Sequence, residues 1–460
     1  MLELIIVIVY LFAMVAIGVW SKRKANRIDD FFVAGRKGST LFVTGSLLAT
    51  IIGASATVGM AGLGFSQGLT GAWWLLVGTV GLVVLGLLFA AKVRSYGLYT
   101  LPQLVEKMYG RWASLATAII IVIAWVGVVA GQIIATGTIM STLGIGTPTL
   151  WMIICTAVFV LYTVIGGQYS VMRTDLAQII IIFVGIFLGL AFLLHRIGGF
   201  NALVTGLPAD NFAFPVSSKF NSIQLISMLL LVGSTYAVGP DMYSRLFCAK
   251  DAGTARKSSL WTAALLVPIA FGIVLIGMGA AILAPGIIPE QAFPTVIRSV
   301  FPPFISGIVL AALLSAVMSS AVTCLLSAST IANMDIIKRF YPSMSQPRIL
   351  NYSRWGIIIL GIAALLLALA LKGIINTLLF AYTIYTAGVI LPIAVGFYKN
   401  RLKVTAGAAL AAIIGGGATA VISKIYTVKY LDLGALGVSA LLLIIVSLID
   451  NRLKNRPKSP

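Results

Sequence analysis

The chain has 460 residues, of which 60% are hydrophobic and only 10% are charged, and its formal net charge is +20. Soluble domains are roughly half apolar and about one quarter charged, so this composition excludes a soluble protein and indicates one that crosses a membrane many times. The three cysteines (Cys155, Cys248 and Cys324) are far apart in sequence, and the single histidine, His195, lies at a predicted helix end. This argues against a disulfide framework, a zinc site or a zinc-dependent enzyme.

Apolar stretches of about 20 residues, the length of a helix that crosses a bilayer, recur throughout the chain. They predict an all-α polytopic membrane protein with about thirteen transmembrane helices. The predicted spans are 2–20, 41–66, 73–93, 113–142, 149–165, 175–194, 223–246, 260–283, 304–337, 351–371, 375–398, 404–425 and 433–449. The first span has an acidic rather than a basic front end and lacks a small-residue cleavage site, so we expect a membrane helix there rather than a cleaved signal peptide.

The basic residues are distributed unequally between the two sides of the predicted bundle. Most of the 32 Lys and Arg residues fall in the loops on the side of 21–40 and in the C-terminal tail. Because cytoplasmic loops are enriched in Lys and Arg, the N-terminus is predicted outside and the C-terminus inside. The net charge then reflects topology and contact with anionic lipids, and its dispersal argues against nucleic acid as a partner. We expect an integral protein of the cytoplasmic (inner) membrane of a prokaryote.

Ten of the predicted spans form two groups of five. The group in 41–194 begins inside and the group in 223–398 begins outside, so the second is inverted relative to the first. Inverted repeats of this kind are typical of secondary transporters. The remaining parts are predicted to be a first helix with its cytoplasmic loop, an extracellular loop, and two additional helices with a basic cytoplasmic tail. They occupy 1–40, 195–222 and 399–460, respectively.

The first helix of each group contains residues that interrupt a helix. Gly53 and Ser55 lie among β-branched residues in 41–64, and Gly239 and Pro240 interrupt the corresponding helix of the second group. Glycine inside a helix costs about 1 kcal/mol relative to alanine. At membrane depth a loosened segment is tolerated only inside protein or beside a polar cavity, and its freed carbonyls can bind a small cation. The alternative is a face of small residues that packs against another helix.

The stretch 306–335 is unusually rich in hydroxyl groups. Ser319 and Thr323 share one helical face, Ser320 lies beside them, and Ala316 lies one turn before. Uncharged oxygen ligands suit a weakly bound monovalent cation that must be released in each cycle. Alternatively, these hydroxyls bond back to carbonyls of their own helix, as Ser and Thr in membrane helices often do.

Three aspartates lie in or beside predicted spans. An ionisable group at membrane depth is a functional candidate by default. For Asp175 the alternative is an interfacial residue paired with Arg173 or favoured by the helix dipole. For Asp241 it is an ion pair with Arg245 one turn later, and Asp335 is expected at the surface beside Lys338 and Arg339.

These features occur within an ordered set of motifs: DDFFVAGRKGS, LLATIIGASATVGMAGLGF, YGLYTLPQLVEKMYG, VIGGQYSVMRTDLAQ, RLFCAK and SAVMSSAVTCLLSASTIANMDI. Over nearly its whole length the chain resembles the sodium/solute symporter family, which includes the sodium–galactose, sodium–proline and sodium–sialic acid transporters and has a LeuT-like fold. The resemblance implies Na⁺ as the coupling ion. It also implies a sodium site made by the carbonyls of Ala49, Ile52 and Ala316 and the hydroxyls of Ser319 and Ser320.

The resemblance also bears on a second sodium ion. Some members bind one with the aspartate that matches Asp175 and with hydroxyls on the serine-rich helix. Ser319 and Thr323 match that pattern, whereas Val322 stands where such members have a serine. Asp175 and Thr323 are therefore expected to serve either a second sodium ion or coupling, with Asp175 tuning the first site electrostatically.

The substrate pocket of the family lies beside the first broken helix. Sugar carriers have polar side chains at the positions of Ile51, Ser55 and Ala56, and proline carriers have an aspartate at Ile51, so a galactose-like or proline-like pocket is disfavoured. A substrate with an amino group is favoured if Asp241 faces the cavity, and a carboxylate if the broken-helix N-termini dominate. The candidate substrate-binding residues are Gly53, Ala56, Thr57, Gln132, Ser234, Tyr236, Asp241, Tyr382 and Thr383.

Together these features predict a sodium-coupled symporter that imports a small organic solute, an amino acid or organic carboxylate, by alternating access. We expect a monomeric functional unit and no enzymatic activity, because Ser319 has no histidine in its segment to activate it. A proton-coupled symporter that uses Asp175 is the alternative function. A channel is disfavoured by the inverted repeat.

Overall fold

The computed structural model describes residues 1–21, 27–371, 373–426 and 431–454. Regular structure in these residues is helical apart from two isolated bridges, Gly38 with Ala249 and Ser217 with Phe220. The α-helices are α1 Leu2–Ser21, α2 Ile28–Val33, α3 Thr40–Ile51, α4 Met60–Gln67, α5 Trp73–Val84, α6 Ala90–Ser95, α7 Leu101–Tyr109, α8 Arg111–Met140, α9 Pro148–Ile197, α10 Phe200–Gly206, α11 Ser222–Met228, α12 Ser234–Ala237, α13 Pro240–Cys248, α14 Ala252–Leu283, α15 Ala292–Val300, α16 Pro303–Ile331, α17 Lys338–Phe340, α18 Gln346–Ala370, α19 Ile374–Tyr385, α20 Leu391–Gly396, α21 Lys399–Leu402, α22 Ala406–Ile425 and α23 Leu431–Lys454. The predicted all-helical fold is confirmed.

Eleven helical segments within the described residues are long and apolar enough to cross a membrane. Two of them exceed one crossing. Helix α9 has 50 residues, about 75 Å at 1.5 Å per residue, and it is broken at Gly167, where φ is 54° and ψ is −154°. The segment Ser55–Ser95 is interrupted at Gly68, where φ is 69°. Both conformations are open to glycine and strained for other residues. The thirteen crossings and the side of each terminus stay predictions.

Helix α16 is the centre of the bundle. In its span, Pro303–Phe340, 94% of the most apolar stretch is buried, compared with 28% for Leu2–Ser21 and for Gln346–Ala370. The latter two segments instead expose large apolar side chains such as Phe12 and Ile359. Exposed apolar faces suit contact with lipid tails, so α1 and α18 lie on the outside of the bundle. The hydroxyl groups of α16 consequently face other helices.

Five π-helical segments widen the helices among the described residues: Ser55–Gly59, Leu85–Phe89, Leu229–Gly233, Ala332–Ile337 and Thr386–Ile390. Segments of this kind are frequent at functional sites because their extra residue redirects side chains and frees backbone groups. The first and third lie in the two helices that the sequence predicts to be interrupted.

One prediction for a charged residue is wrong. Asp335 is buried, with 2% of its surface exposed, rather than on the surface. The π-helical segment Ala332–Ile337, which contains this residue, packs against α8 and α18. The neighbouring Arg339 pairs with Glu106 at 2.5 Å instead of with Asp335. Sequence proximity to Lys338 and Arg339 therefore did not indicate the environment of this carboxylate.

Candidate functional site

The predicted interruption between α3 and α4 is present. Helix α3 ends at Ile51, and Ile52 has a non-helical conformation with φ −80° and ψ 81°. The N–H of Gly53 bonds to the carbonyl of Ile51 at 2.9 Å, after which the π-helical turn begins at Ser55. The chain is fully buried here, so the break brings backbone polar groups into the interior of the bundle.

Two hydroxyls of α16 lie against the carbonyls at the end of α3. Ser319 Oγ donates to the carbonyl of Ala49 at 2.6 Å and lies 3.0 Å from the carbonyl of Ala316. Ser320 Oγ donates to the carbonyl of Thr50 at 2.6 Å and lies 3.5 Å from that of Ala49. Four of the five predicted sodium ligands thus lie together, each within 3.5 Å of at least one of the others. These oxygens carry no formal charge, and their lone pairs suit Na⁺.

The alternative, in which hydroxyls bond back to their own helix, describes other residues of α16. Thr330 donates to the carbonyl of Leu326 at 2.7 Å, one turn earlier in the same helix. Ser319 and Ser320 differ because their shortest hydrogen bonds cross to α3. The two hydroxyls therefore connect α16 to α3, and Ser319 in addition bonds back to Ala316 of its own helix.

Gln132 of α8 holds the other end of the break. Its Oε1 accepts the N–H of Ala54 at 2.8 Å, which satisfies a backbone donor left without a helical partner. A Cβ on Gly53 would lie 2.6 Å from Ser320 Oγ and 2.9 Å from both terminal atoms of Gln132. Gly53 is therefore the residue that allows the break, the α16 hydroxyl and the amide to pack together.

Asp175 forms a buried ion pair that the sequence did not indicate. Its Oδ2 is 3.2 Å from Nη2 of Arg245, and both side chains are completely buried. Ser46 donates a hydrogen bond to the same carboxylate. Nη2 of Arg245 also bonds to Thr323 Oγ1, which lies 3.2 Å from Thr50 Oγ1. The predicted coupling residues Asp175 and Thr323 are thus brought together, with a guanidinium between them.

The pairings expected as alternatives differ from those in the structure. Arg173 bonds to Tyr169 at 3.0 Å rather than to Asp175. Arg245 directs its guanidinium to Asp175, although Asp241 lies one turn before it on α13. Two positions of separation placed Arg173 on a different face of the helix from Asp175, which is why sequence proximity was a poor guide.

A small cavity of about 20 Å³ lies beside the break. Its walls are formed by Thr50, Ile51, Gly53, Ser55, Trp125, Val128, Gln132, Thr235, Tyr236, Asp241, Met242, Ser320, Cys324 and Tyr382. The cavity therefore gathers five of the predicted substrate residues, namely Gly53, Gln132, Tyr236, Asp241 and Tyr382. Ser320 joins this cavity to the candidate sodium site.

Four further predicted substrate residues do not line this cavity. Ala56 and Thr57 are buried in the π-helical turn, and Thr57 Oγ1 bonds to the carbonyl of Gly53 at 2.9 Å. Ser234 and Thr383 bond to carbonyls of their own helices. Trp125 was missed, although a tryptophan in the middle of a predicted span, away from the interfaces where it is usually enriched, was a usable signal.

The family model described as "Sodium:solute symporter family" matches residues 31–416. The chain belongs to this family. The family is one of transporters, and sodium is the ion that couples transport in it. The symporter is an integral membrane protein with a small-molecule substrate.

Named relatives agree with this assignment. The sodium/glucose cotransporter of Vibrio parahaemolyticus is 26% identical over 411 residues, which are 81% of this chain and 76% of that protein. Sodium/glucose cotransporter 4 of Danio rerio is 24% identical over 407 residues, 78% of this chain. The symporter covers only 61% of the length of that second relative.

Solved structures confirm the LeuT-like fold. A Na⁺-coupled sialic acid symporter, in a substrate-bound outward-open state, aligns with a TM-score of 0.84 and 18% identity over 98% of each chain. MhsT in complex with L-phenylalanine aligns with a TM-score of 0.56 and 14% identity, covering 91% of the symporter and 98% of MhsT. At these identities the alignments show the fold alone.

The cavity beside the break is too small for an organic solute. A volume of about 20 Å³ accommodates roughly one water molecule, so a substrate requires the helices to move apart. On the predicted cytoplasmic side, Arg94 Nε donates to the carbonyl of Ala249 at 2.5 Å. On the predicted outer side, Trp73 Nε1 donates to the carbonyl of Pro215 at 2.8 Å.

Replacing Gly53 with alanine is expected to weaken sodium binding about tenfold. The added Cβ would lie within 3.0 Å of Ser320 and Gln132, and overpacking of this kind costs about 1–3 kcal/mol. The sodium concentration that half-saturates a thermal shift measures the effect. Gly286→Ala is the matched control, because a Cβ there meets open space. Equal sodium affinity in the two variants would contradict the placement of the site beside Gly53.

Proposed function

We propose that the symporter imports a small solute with a positively charged amino group, such as an amino acid or an amine, together with sodium. The observation that carries this proposal is the cavity wall, where Asp241 lies with the aromatic side chains of Trp125, Tyr236 and Tyr382. A carboxylate offers an ammonium group a charge-assisted hydrogen bond, and aromatic faces attract cations. The same wall reaches Ser320 and hence the candidate sodium site.

The hydrogen bonding at the broken helix supports an amino group over a lone carboxylate as the recognised feature. A carboxylate would be attracted to the free N–H groups where a broken helix begins again. The amide of Gln132 already accepts the N–H of Ala54. Arg245 is likewise held by Asp175 and does not line the cavity. Asp241 is therefore the dominant charge at the cavity.

A sugar substrate is less well supported, although the two relatives above carry the name sodium/glucose cotransporter. Ile51 lines the cavity and offers a sugar no hydrogen bond, and Ala56 is also apolar. A site without polar partners for several hydroxyl groups discriminates poorly in favour of a sugar. We therefore consider a sugar a weaker candidate substrate than an amino solute.

Transport follows alternating access in this proposal. Sodium enters from outside and binds the carbonyls of Ala49, Ile52 and Ala316 and the hydroxyls of Ser319 and Ser320, which ties α3 to α16. Binding favours the outward-open state through its differential affinity for the two states. Substrate then allows closure, and sodium leaves to the cytoplasm. The membrane potential contributes about 2.3 kcal/mol per charge for each 100 mV.

The proposal includes the division of the chain into two inverted five-helix repeats and their flanking segments. Residues 41–194 and 223–398 form the inverted repeats, 195–222 is an extracellular loop, and 1–40 and 399–460 lie outside the repeats. The π-helical segments Ser55–Gly59 and Leu229–Gly233 support the repeats, since they occupy corresponding helices. Contact with anionic lipids, a monomeric unit and a prokaryotic inner membrane remain predictions.

Proton coupling through Asp175 is the alternative, and the ion pair argues against it. A proton that reached Asp175 would have to replace the contact with Arg245 in a region without solvent exposure. Proton-driven uptake in the absence of sodium would reverse this preference. It is measured with reconstituted vesicles under an imposed pH gradient.

A ligand panel tests the proposed function directly. Purified protein is heated with amino acids, amines, carboxylates and sugars, each in sodium and in potassium. A ligand that binds the folded state raises its stability in proportion to occupancy. We expect amino solutes to stabilise the protein in sodium and much less in potassium. Stabilisation by glucose or by carboxylates without an amino group would overturn the proposed substrate class, and no effect of sodium would overturn the coupling.

A further inference from the structure

Arg245 lies at the junction of three helices deep in the bundle. It belongs to α13, and its Nη2 is bound by Asp175 of α9 and by Thr323 of α16. The side chains of Arg245, Asp175 and Thr323 are 0% exposed. A guanidinium in such a place is expensive to desolvate unless it is paired. The buried position of Arg245 therefore indicates a functional role in addition to its ion pair.

The charges at this junction balance without a mobile ion. An ionised Asp175 in this dry environment requires a cation beside it. Arg245 supplies that cation at 3.2 Å and is attached to the protein. Nη2 contacts a carboxylate oxygen of Asp175 and the hydroxyl oxygen of Thr323. The family resemblance associates these same two side chains with a second sodium ion. Unlike a bound sodium ion, this guanidinium is covalently attached and cannot leave the protein during the cycle.

We propose that Arg245 is a tethered cation that takes the place of a second sodium ion, so that one sodium ion accompanies each substrate. The inference rests on the proposed sodium-coupled function and adds its stoichiometry. Val322 supports it, because no hydroxyl stands at that position of α16 to complete a second set of oxygen ligands.

The tethered cation also links the two candidate binding sites. Arg245 lies one turn after Asp241 on α13, and Thr323 lies one turn after Ser319 on α16. Thr50 completes the link, since its hydroxyl contacts Thr323 and its carbonyl accepts the hydroxyl of Ser320. These contacts join α13, which carries Asp241, to α16 and α3, which carry proposed sodium ligands.

Counting bound radioactive sodium tests the proposal without knowledge of the substrate. We expect one sodium ion per purified wild-type chain at saturation. In Arg245→Ala, the freed oxygens of Asp175, Thr323 and Ser46 should bind an additional sodium ion, which raises the count from one to two. Adding Asp175→Asn to that variant removes the unpaired charge and should return the count to one.

Arg173→Ala is the matched control, because that arginine lies two residues from Asp175 but is bound elsewhere. This control should bind one sodium ion per chain. Arg245→Lys keeps a tethered positive charge and should also bind one sodium ion per chain. Two sodium ions per wild-type chain would overturn the tethered cation while leaving sodium coupling intact. No bound sodium in the wild type would instead overturn the proposed function. The wild-type count decides the question even if a variant does not fold.

Discussion

Replacing Ser319 and Ser320 together with alanine is expected to abolish sodium-driven uptake while the protein still inserts into the membrane. The two hydroxyls are the only proposed sodium ligands that come from side chains, since the other three are backbone carbonyls. They also form the 2.6 Å hydrogen bonds that join α16 to α3. At about 1–1.5 kcal/mol for each polar contact, their loss predicts a decrease in sodium affinity of roughly 100-fold.

The affinity is measured by sodium titration of the purified variant, and uptake is measured in reconstituted vesicles. Thr330→Val is the matched control on the same helix, because the Thr330 hydroxyl bonds to the carbonyl of Leu326, one turn earlier in that helix. The control should transport at the wild-type rate. Undiminished sodium-driven uptake by the double variant would show that the sodium site lies elsewhere.

Asp241→Asn is expected to decrease the affinity for amino solutes by roughly 10- to 100-fold and to leave sodium binding within about twofold of wild type. Asparagine has a similar shape but no charge, so it removes the charge-assisted part of the contact with an ammonium group, which is worth about 1.5–3 kcal/mol. Asp241 belongs to α13 and is not one of the proposed sodium ligands, which belong to α3, to the break after it and to α16. Substrate and sodium effects should therefore separate.

The comparison is between substrate titrations in saturating sodium for wild type, Asp241→Asn and Asp251→Asn. Asp251 caps the first turn of α14 by accepting the N–H of Thr254 at 2.6 Å, and asparagine caps helices equally well. This control should therefore be unaffected. If Asp241→Asn binds amino solutes as tightly as wild type, the recognised group on the substrate is not the ammonium group.

Local features of the sequence were sufficient to predict the class of fold and the part of the candidate site formed by the broken helix and the hydroxyl groups of α16. Hydrophobic length predicts membrane helices, and the glycine and serine content around Gly53 predicts the break that is found after Ile51. The 3.6-residue period places Ser319 and Thr323 on one face, and the structure shows both facing α3. These properties depend on neighbours in the chain, which is why sequence alone revealed them.

Only the tertiary structure decided which distant groups meet. Arg245 pairs with Asp175 although 70 residues separate them, and the nearer candidates Arg173 and Asp241 have other surroundings. Trp125 reaches the cavity and Thr57 does not, because the crossing of α8 with the broken helix and the turn at Ser55 set those directions. Burial of a charge depends on how whole helices pack, and local composition does not determine that packing.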